Sequence, residues 1–203
     1  MWKKKIPNFL TAMRIILIPL IILSFYVPSK ITNIIVAALF MSASITDYFD
    51  GYLARAFKVQ SNFGKCLDPI ADKLLVSVSL IMLSYFSNQN ILILIPSIII
   101  ICREIMVSGL REFLATINVG VPVTRLAKWK TAIQMMAITA LLLASNGSEY
   151  VYNEIMDIVE AEEFIRISFE GVIQTLGEIF LCISAVLTVI TGYIYFKVGF
   201  KNF

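Results

Sequence analysis

The 203-residue sequence contains no histidine, and only 15% of its residues are charged. Without histidine, the protein has no imidazole general base, phosphohistidine intermediate or His-ligated metal. Its three cysteines are odd in number and lack the close spacing of a metal site, so we expect free thiols. Any acid–base chemistry must therefore depend on carboxylates or water.

Apolar residues dominate the chain instead. Hydrophobic residues make up 59% of it, and the mean hydropathy is +0.84. Long apolar runs predict six transmembrane helices at about 8–27, 32–56, 66–86, 91–114, 126–146 and 172–196. We therefore predict an all-α integral membrane bundle of six transmembrane helices, formed by one domain over residues 1–203.

The basic residues are distributed unevenly between the two ends of the predicted bundle. Of the 17 lysines and arginines, all but Lys30 and Arg166 fall on one side. The positive-inside rule then predicts that this side and both termini face the cytoplasm. The N-terminal segment has no small-residue cleavage site, so we expect a retained first span. On the opposite side, the acidic connection 147–171 is predicted to be a surface helix or loop, with no assigned chemistry.

Four aspartates lie close together in this apolar sequence: Asp47, Asp50, Asp68 and Asp72. With the residues between them, they form the pattern D-x2-D-G-x2-A-R-x8-G-x3-D-x3-D. Each pair is spaced by three or four residues and therefore shares one helical face. Carboxylates are costly near lipid, so we expect a compensating partner rather than a solvated face. Their oxygen ligands suit Mg²⁺ or Mn²⁺, and we expect a pair of such ions on the cytoplasmic side.

Small residues lie among the aspartates. Gly51 and Ala54 are about one helical turn apart, and Gly64 lies one turn before Asp68. Small side chains let helices approach closely or leave room for a ligand, and either explanation fits these positions. Arg55, next to Ala54, is suited to binding a phosphate or orienting a carboxylate.

The complete pattern from Asp47 to Asp72 resembles the signature of the CDP-alcohol phosphotransferase family. The resemblance implies a six-helix membrane enzyme that transfers a phosphatidyl or similar group from a CDP-linked donor to an alcohol, releasing CMP. It also implies two divalent ions, Mg²⁺ or Mn²⁺. Asp47, Asp50 and Asp68 would be metal ligands, and Asp72 would be the general base as well as a metal neighbour.

The same resemblance implies a site for the cytidine diphosphate. Gly51, Ala54, Arg55 and Gly64 would line it. Asn8 and Thr11 fit a position near the nucleotide, but a helix cap and a packing role explain them equally well. For Asn8 and Thr11, the nucleotide-binding and the structural interpretation therefore both stay open.

A basic cluster follows on the next two predicted helices: Arg103, Arg111, Lys128 and Lys130. It could bind an anionic acceptor, although positive-inside topology or pairing with Glu104 and Glu112 also explains such residues. The segments 7–14, 103–115 and 128–135 resemble the branch of the family whose bacterial members make phosphatidylglycerol phosphate. That likeness implies CDP-diacylglycerol and sn-glycerol 3-phosphate as substrates. Arg103, Arg111 and Lys128 would bind the acceptor phosphate, with Lys130 as a further cation beside them.

Other functions remain open at this point. A related enzyme could use inositol phosphate, serine or phosphatidylglycerol as acceptor, and an acceptor without phosphate would not need the basic cluster. A cation transporter would spread its charges through the bilayer depth, whereas these charges crowd at one end. A purely structural membrane protein is a further alternative. The resemblance implies a bacterial inner-membrane enzyme in contact with membrane lipid and, by analogy, a homodimer. We expect no nucleic-acid partner.

Overall fold

The computed structural model describes residues 6–27, 29–57, 62–87, 90–117, 119, 125–144 and 161–200. For helix residues 6–12, 30, 47–57, 62–66, 68, 125, 161–170 and 198 it describes the backbone and not the side chain. The described residues form six α-helices and no strand. The helices are α1 (Ile6–Ser24), α2 (Lys30–Phe57), α3 (Asn62–Phe86), α4 (Ile91–Thr116), α5 (Arg125–Ala144) and α6 (Ala161–Phe200).

Length and apolarity explain why these segments are helices that cross a membrane. Lipid offers the backbone no hydrogen-bond partners, so an apolar segment must pair its own N–H and C=O groups. In the described residues, four stretches are long and apolar enough to span: Pro69–Phe86, Ile91–Thr116, Leu126–Ala144 and Gly171–Lys197. Within the side chains that the structure describes, α1 and α2 are also apolar, over Met13–Ser24 and Ile31–Thr46. The predicted all-α membrane bundle of six helices is confirmed.

Helix α6 differs most from the prediction. Its apolar part begins near residue 171 as expected, but the helix itself starts ten residues earlier, at Ala161. The second half of the acidic connection is therefore helical and continuous with the last span. Residues 161–170 contain good helix formers and no proline, so nothing in them stops the helix. Residues 145–160 lie outside the described part of the chain.

The helices pack as a closed ring. Following the ring, α1 packs on α3, α3 on α4, α4 on α6, α6 on α5, α5 on α2, and α2 back on α1. A smaller contact joins α3 to α5 across the ring. In the described residues, α2 and α3 both pack on α1, and both also contact α5. Individual side chains also link α3, α4 and α5: Lys73 donates to Ser108, and Lys130 donates to Glu104.

The core and the exterior are both apolar. Side chains from every helix fill the centre, and Ile21, Phe40, Leu80, Ile138 and Leu181 are among those fully buried. Large apolar side chains also cover the outside, as the exposed Leu23, Ile95 and Val186 illustrate. An exterior of this kind suits contact with lipid rather than with water.

Candidate active site

The aspartates lie at one end of the bundle. Asp47 and Asp50 lie in the C-terminal part of α2, and Asp68 and Asp72 lie in the N-terminal half of α3. Four residues connect Phe57 to Asn62, so these helix ends lie within about 18 Å of each other. We call this region the aspartate end. Because this connection is short, the two aspartate pairs belong to the same end of the bundle.

Of the four aspartate side chains, the structure describes that of Asp72, which is half-buried on α3. Among the described side chains, no group of three or more acidic, cysteine or histidine residues could hold a metal. The helical backbone nevertheless keeps Asp47 with Asp50, and Asp68 with Asp72, on shared faces. A donor set of carboxylates at the edge of the apolar layer fits a hard divalent cation such as Mg²⁺ or Mn²⁺.

The proposed nucleotide-binding residues also lie at this end. Asn8 and Thr11 belong to α1, Gly51, Ala54 and Arg55 to the last two turns of α2, and Gly64 to the first turn of α3. Their side-chain surroundings lie outside the described part of the structure. Their roles therefore stay predictions.

Lys130 and Arg103 form the best-defined part of the basic cluster. The ammonium group of Lys130, on α5, is buried with 3% of the residue exposed, and Nζ donates to Oε1 of Glu104. The Arg103 Nη1 atom, on α4, donates to the same oxygen at 3.3 Å. We call Arg103, Glu104 and Lys130 the charged triad. One carboxylate oxygen thus joins two cations from two helices.

One turn of α6 holds the other side of Arg103. Its Nη2 atom donates to Thr191 Oγ1 at 2.8 Å, and the guanidinium carbon lies 5.5 Å from the centre of the Tyr195 ring. Gly192 lies between these two residues, and a Cβ there would come within 3.2 Å of the Arg103 Cγ. Arg103 is therefore oriented by α6 as well as by its own helix. Sequence analysis missed these three residues, because their contribution depends on which face of α6 meets α4.

The charged triad is close to the aspartate end. Asp72 on α3 interacts electrostatically with Lys130, as do Glu104 and Arg103. Among the described residues, this interaction is the most direct link between the predicted metal-binding aspartates and the predicted basic cluster.

Arg111 and Lys128 lie differently from Arg103 and Lys130. Arg111 is exposed, eight residues and about 12 Å further along α4 than Arg103. Lys128 is also exposed, because it precedes Lys130 by two residues and so points to the other side of α5. Within the described part of the chain, neither forms an ion pair with the charged triad. The structure therefore joins two of the four predicted cations and leaves two at the surface.

Two further cations lie near the aspartates, although sequence analysis used them only to predict topology. Arg14 is buried on α1, with 3% exposed, and α1 packs against both α2 and α3. Lys73 follows Asp72, and its Nζ donates to Ser108 Oγ on α4. Lys73 thus ties the start of α3 to the helix that carries the charged triad.

These features define a class: an integral membrane protein of packed helices, with carboxylates and cations gathered at one end of the bundle. Residues 4–192 match the CDP-alcohol phosphatidyltransferase family. The match covers nearly the entire chain, and the protein belongs to this family. The resemblance found in the aspartate pattern is therefore confirmed.

Several bacterial proteins are similar over almost their full length. A Rickettsia felis protein is 48% identical over 200 residues, covering 98% of each chain. A Rickettsia typhi protein is 49% identical over 194 residues, covering 96% of each chain. A more distant relative, from Cereibacter sphaeroides, is 38% identical over 208 residues, covering 95% of this chain and 94% of its own. All three are named CDP-diacylglycerol–glycerol-3-phosphate 3-phosphatidyltransferase.

Proposed function

We propose that this protein transfers the phosphatidyl group of CDP-diacylglycerol to sn-glycerol 3-phosphate, forming phosphatidylglycerol phosphate and CMP. The observation that carries this proposal is the full-length similarity to relatives named for that reaction, at 48% identity. The arrangement of the aspartates and the charged triad supports it, since both substrates are anionic and one also brings a reactive hydroxyl group. The reaction belongs to phospholipid biosynthesis.

The aspartate end would bind the donor. Asp47, Asp50, Asp68 and Asp72 would hold two Mg²⁺ or Mn²⁺ ions, which when bound would offset the charge of the diphosphate and of the departing CMP. Residues of α2 and α3, together with the start of α1, would surround the nucleotide. These residues are Asn8, Thr11, Gly51, Ala54, Arg55 and Gly64.

The charged triad would bind the acceptor. Lys130 and the oriented guanidinium of Arg103 would take the phosphate of sn-glycerol 3-phosphate, because both are held on rigid helices close to Asp72. Arg111 and Lys128, which are exposed, would attract the anionic acceptor and contact it at the entrance. A phosphorylated acceptor explains this concentration of cations better than serine does.

The transfer would be a direct displacement. An acceptor hydroxyl oxygen attacks the phosphorus that bears the diacylglycerol group, and its proton passes to the Asp72 carboxylate. The new phosphorus–oxygen bond replaces the phosphoanhydride bond, and CMP leaves with the bonding electron pair. No covalent bond to the protein forms. Capture of a radiolabelled phosphatidyl group on the chain would contradict this sequence of steps.

The topology follows from the charge distribution. The aspartate end and the termini would face the cytoplasm of a bacterial inner membrane, where the excess of lysine and arginine is expected. Both substrates would then reach the same side of the bilayer, CDP-diacylglycerol from the lipid and sn-glycerol 3-phosphate from water. The whole chain would act as one domain, with homodimer formation as a further expectation from the family.

An acceptor panel tests the proposed reaction. Purified protein is incubated with CDP-diacylglycerol, Mg²⁺ or Mn²⁺, and one of sn-glycerol 3-phosphate, inositol phosphate, serine or phosphatidylglycerol. We expect CMP release and a phosphatidylglycerol phosphate product with sn-glycerol 3-phosphate. Turnover with another acceptor alone would overturn the acceptor assignment, and no CMP release with any acceptor would overturn the reaction class.

A further inference from the structure

Glu104 makes a contact that helix geometry alone does not explain. Arg103 and Glu104 are consecutive on α4, and consecutive side chains on a helix diverge by about 100° and do not normally face each other. Nevertheless, Arg103 Nη1 and Lys130 Nζ donate to the same Glu104 oxygen. Glu104 is therefore the point where a cation of α4 and a cation of α5 meet.

We propose that Glu104 is a positioning residue, which holds Arg103 and Lys130 at a spacing that suits a single phosphate group. This inference rests on the proposed function of the charged triad as the acceptor site. Glu104 would not touch the substrate. Two cations and one carboxylate leave the charged triad with one net positive charge, which an anionic acceptor can balance.

The burial of Lys130 makes its carboxylate partner important. An ammonium group with 3% exposure has lost most of its hydration and requires a nearby anion. Among the described residues, Asp72 on α3 is a second carboxylate that acts on Lys130. Without the Glu104 charge, Lys130 would turn toward Asp72, while Arg103 would keep its contacts with Thr191 and Tyr195. The two cations would then separate.

The chain supplies a matched comparison on the same helix. Arg111 and Glu112 repeat the Arg-Glu pair eight residues later, but both are exposed. Lys130, the buried lysine, contacts Glu104 rather than Glu112. Neutralising Glu112 therefore makes the same chemical change to α4 without disturbing the charged triad.

The test measures kcat and KM for both substrates in Glu104→Gln, Glu104→Asp and Glu112→Gln. For Glu104→Gln we expect KM for sn-glycerol 3-phosphate to rise about tenfold, the effect of losing one charged hydrogen bond. Its kcat and its KM for CDP-diacylglycerol should change little. Glu104→Asp, which retains the charge, should recover part of the loss, and Glu112→Gln should match the unmodified protein.

Three outcomes would overturn the inference: an unchanged acceptor KM in Glu104→Gln, an equal rise in Glu112→Gln, or a loss confined to kcat. If Glu104→Gln does not fold, the double variant Glu104→Gln with Lys130→Met removes both buried charges. We expect that variant to fold and to have a high KM for sn-glycerol 3-phosphate. A normal KM would mean that Glu104 serves only to neutralise the charge of Lys130, and the inference would then be wrong. If the unmodified protein is active on sn-glycerol 3-phosphate and Glu104→Gln has the same acceptor KM, this inference alone is wrong. If the unmodified protein is inactive on that acceptor, the proposed function is wrong as well.

Discussion

Replacing Arg103 with lysine tests whether the shape of the guanidinium, as well as its charge, matters at the acceptor site. Arg103 uses Nη1 for Glu104 at 3.3 Å and Nη2 for Thr191 at 2.8 Å, with the Tyr195 ring beneath it. A planar group with several fixed donors can satisfy both contacts at once. A lysine retains the positive charge, but its single ammonium group cannot reproduce this geometry.

The expected loss follows from these contacts. A hydrogen bond to a charged group contributes about 1.5–3 kcal/mol, and Arg103→Lys forfeits one of the two. That range corresponds to roughly a 10- to 150-fold rise in the KM for sn-glycerol 3-phosphate. Thr191→Val removes the α6 partner while leaving Arg103 intact. It should produce a smaller rise in the same direction.

The assay is CMP release at varied sn-glycerol 3-phosphate, with CDP-diacylglycerol held at saturation. Arg111→Lys is the control, because Arg111 is an exposed arginine on the same helix. The rise in acceptor KM should be smaller in this variant. If Arg103→Lys has the same acceptor KM as the unmodified protein, the shape of the guanidinium does not matter. A positive charge at this position would then be sufficient.

Three other changes extend the test. Asp72→Asn should abolish CMP release, because the half-buried carboxylate is lost, while asparagine retains the size of the side chain. The protein should keep its elution volume and its thermal transition. Turnover comparable to that of the unmodified protein would show that Asp72 is not the base. Arg111→Ala should raise the acceptor KM less at high ionic strength than at low, because salt screens an exposed charge; an unchanged KM at both salt concentrations would exclude Arg111 from acceptor binding. Gly177→Ala should lower the thermal transition in detergent, because a Cβ would come within 2.8 Å of Leu141 Cγ on α5 and cost about 1–3 kcal/mol. Gly109→Ala, where a Cβ meets nothing within 4 Å, is its control, and equal transitions in the two variants would contradict the packing of α5 on α6.

Much of the aspartate end could be predicted, because it depends on local geometry. Aspartates three or four residues apart share a helical face in any α-helix. Asp47 also directly follows a long apolar run in the sequence, residues 31–46. The start of α6 was missed because hydropathy marks where a helix enters lipid, not where the helix begins. Ala161 lies ten residues before that point.

The basic cluster shows the opposite case. The sequence predicts both Lys128 and Lys130 at the acceptor site, but two residues apart on a helix they point to opposite sides of α5. The structure buries Lys130 and leaves Lys128 exposed. Arg103 and Arg111 are both followed by glutamate, and nothing local distinguishes the two pairs. Contacts from Lys130 on α5 and from Thr191 and Tyr195 on α6 hold the first pair half-buried, whereas the second pair is exposed.

By itself, the sequence determined the membrane class, the number of helices and the grouping of the aspartates, since apolar length and helical periodicity act within a segment. Only the tertiary structure decided that Glu104 joins Arg103 to Lys130, and that Thr191 and Tyr195 on α6 orient the guanidinium. Those contacts bring together residues up to 92 positions apart in the chain. The physical reason is that helix periodicity determines which residues share a face, whereas interhelical packing determines which faces meet.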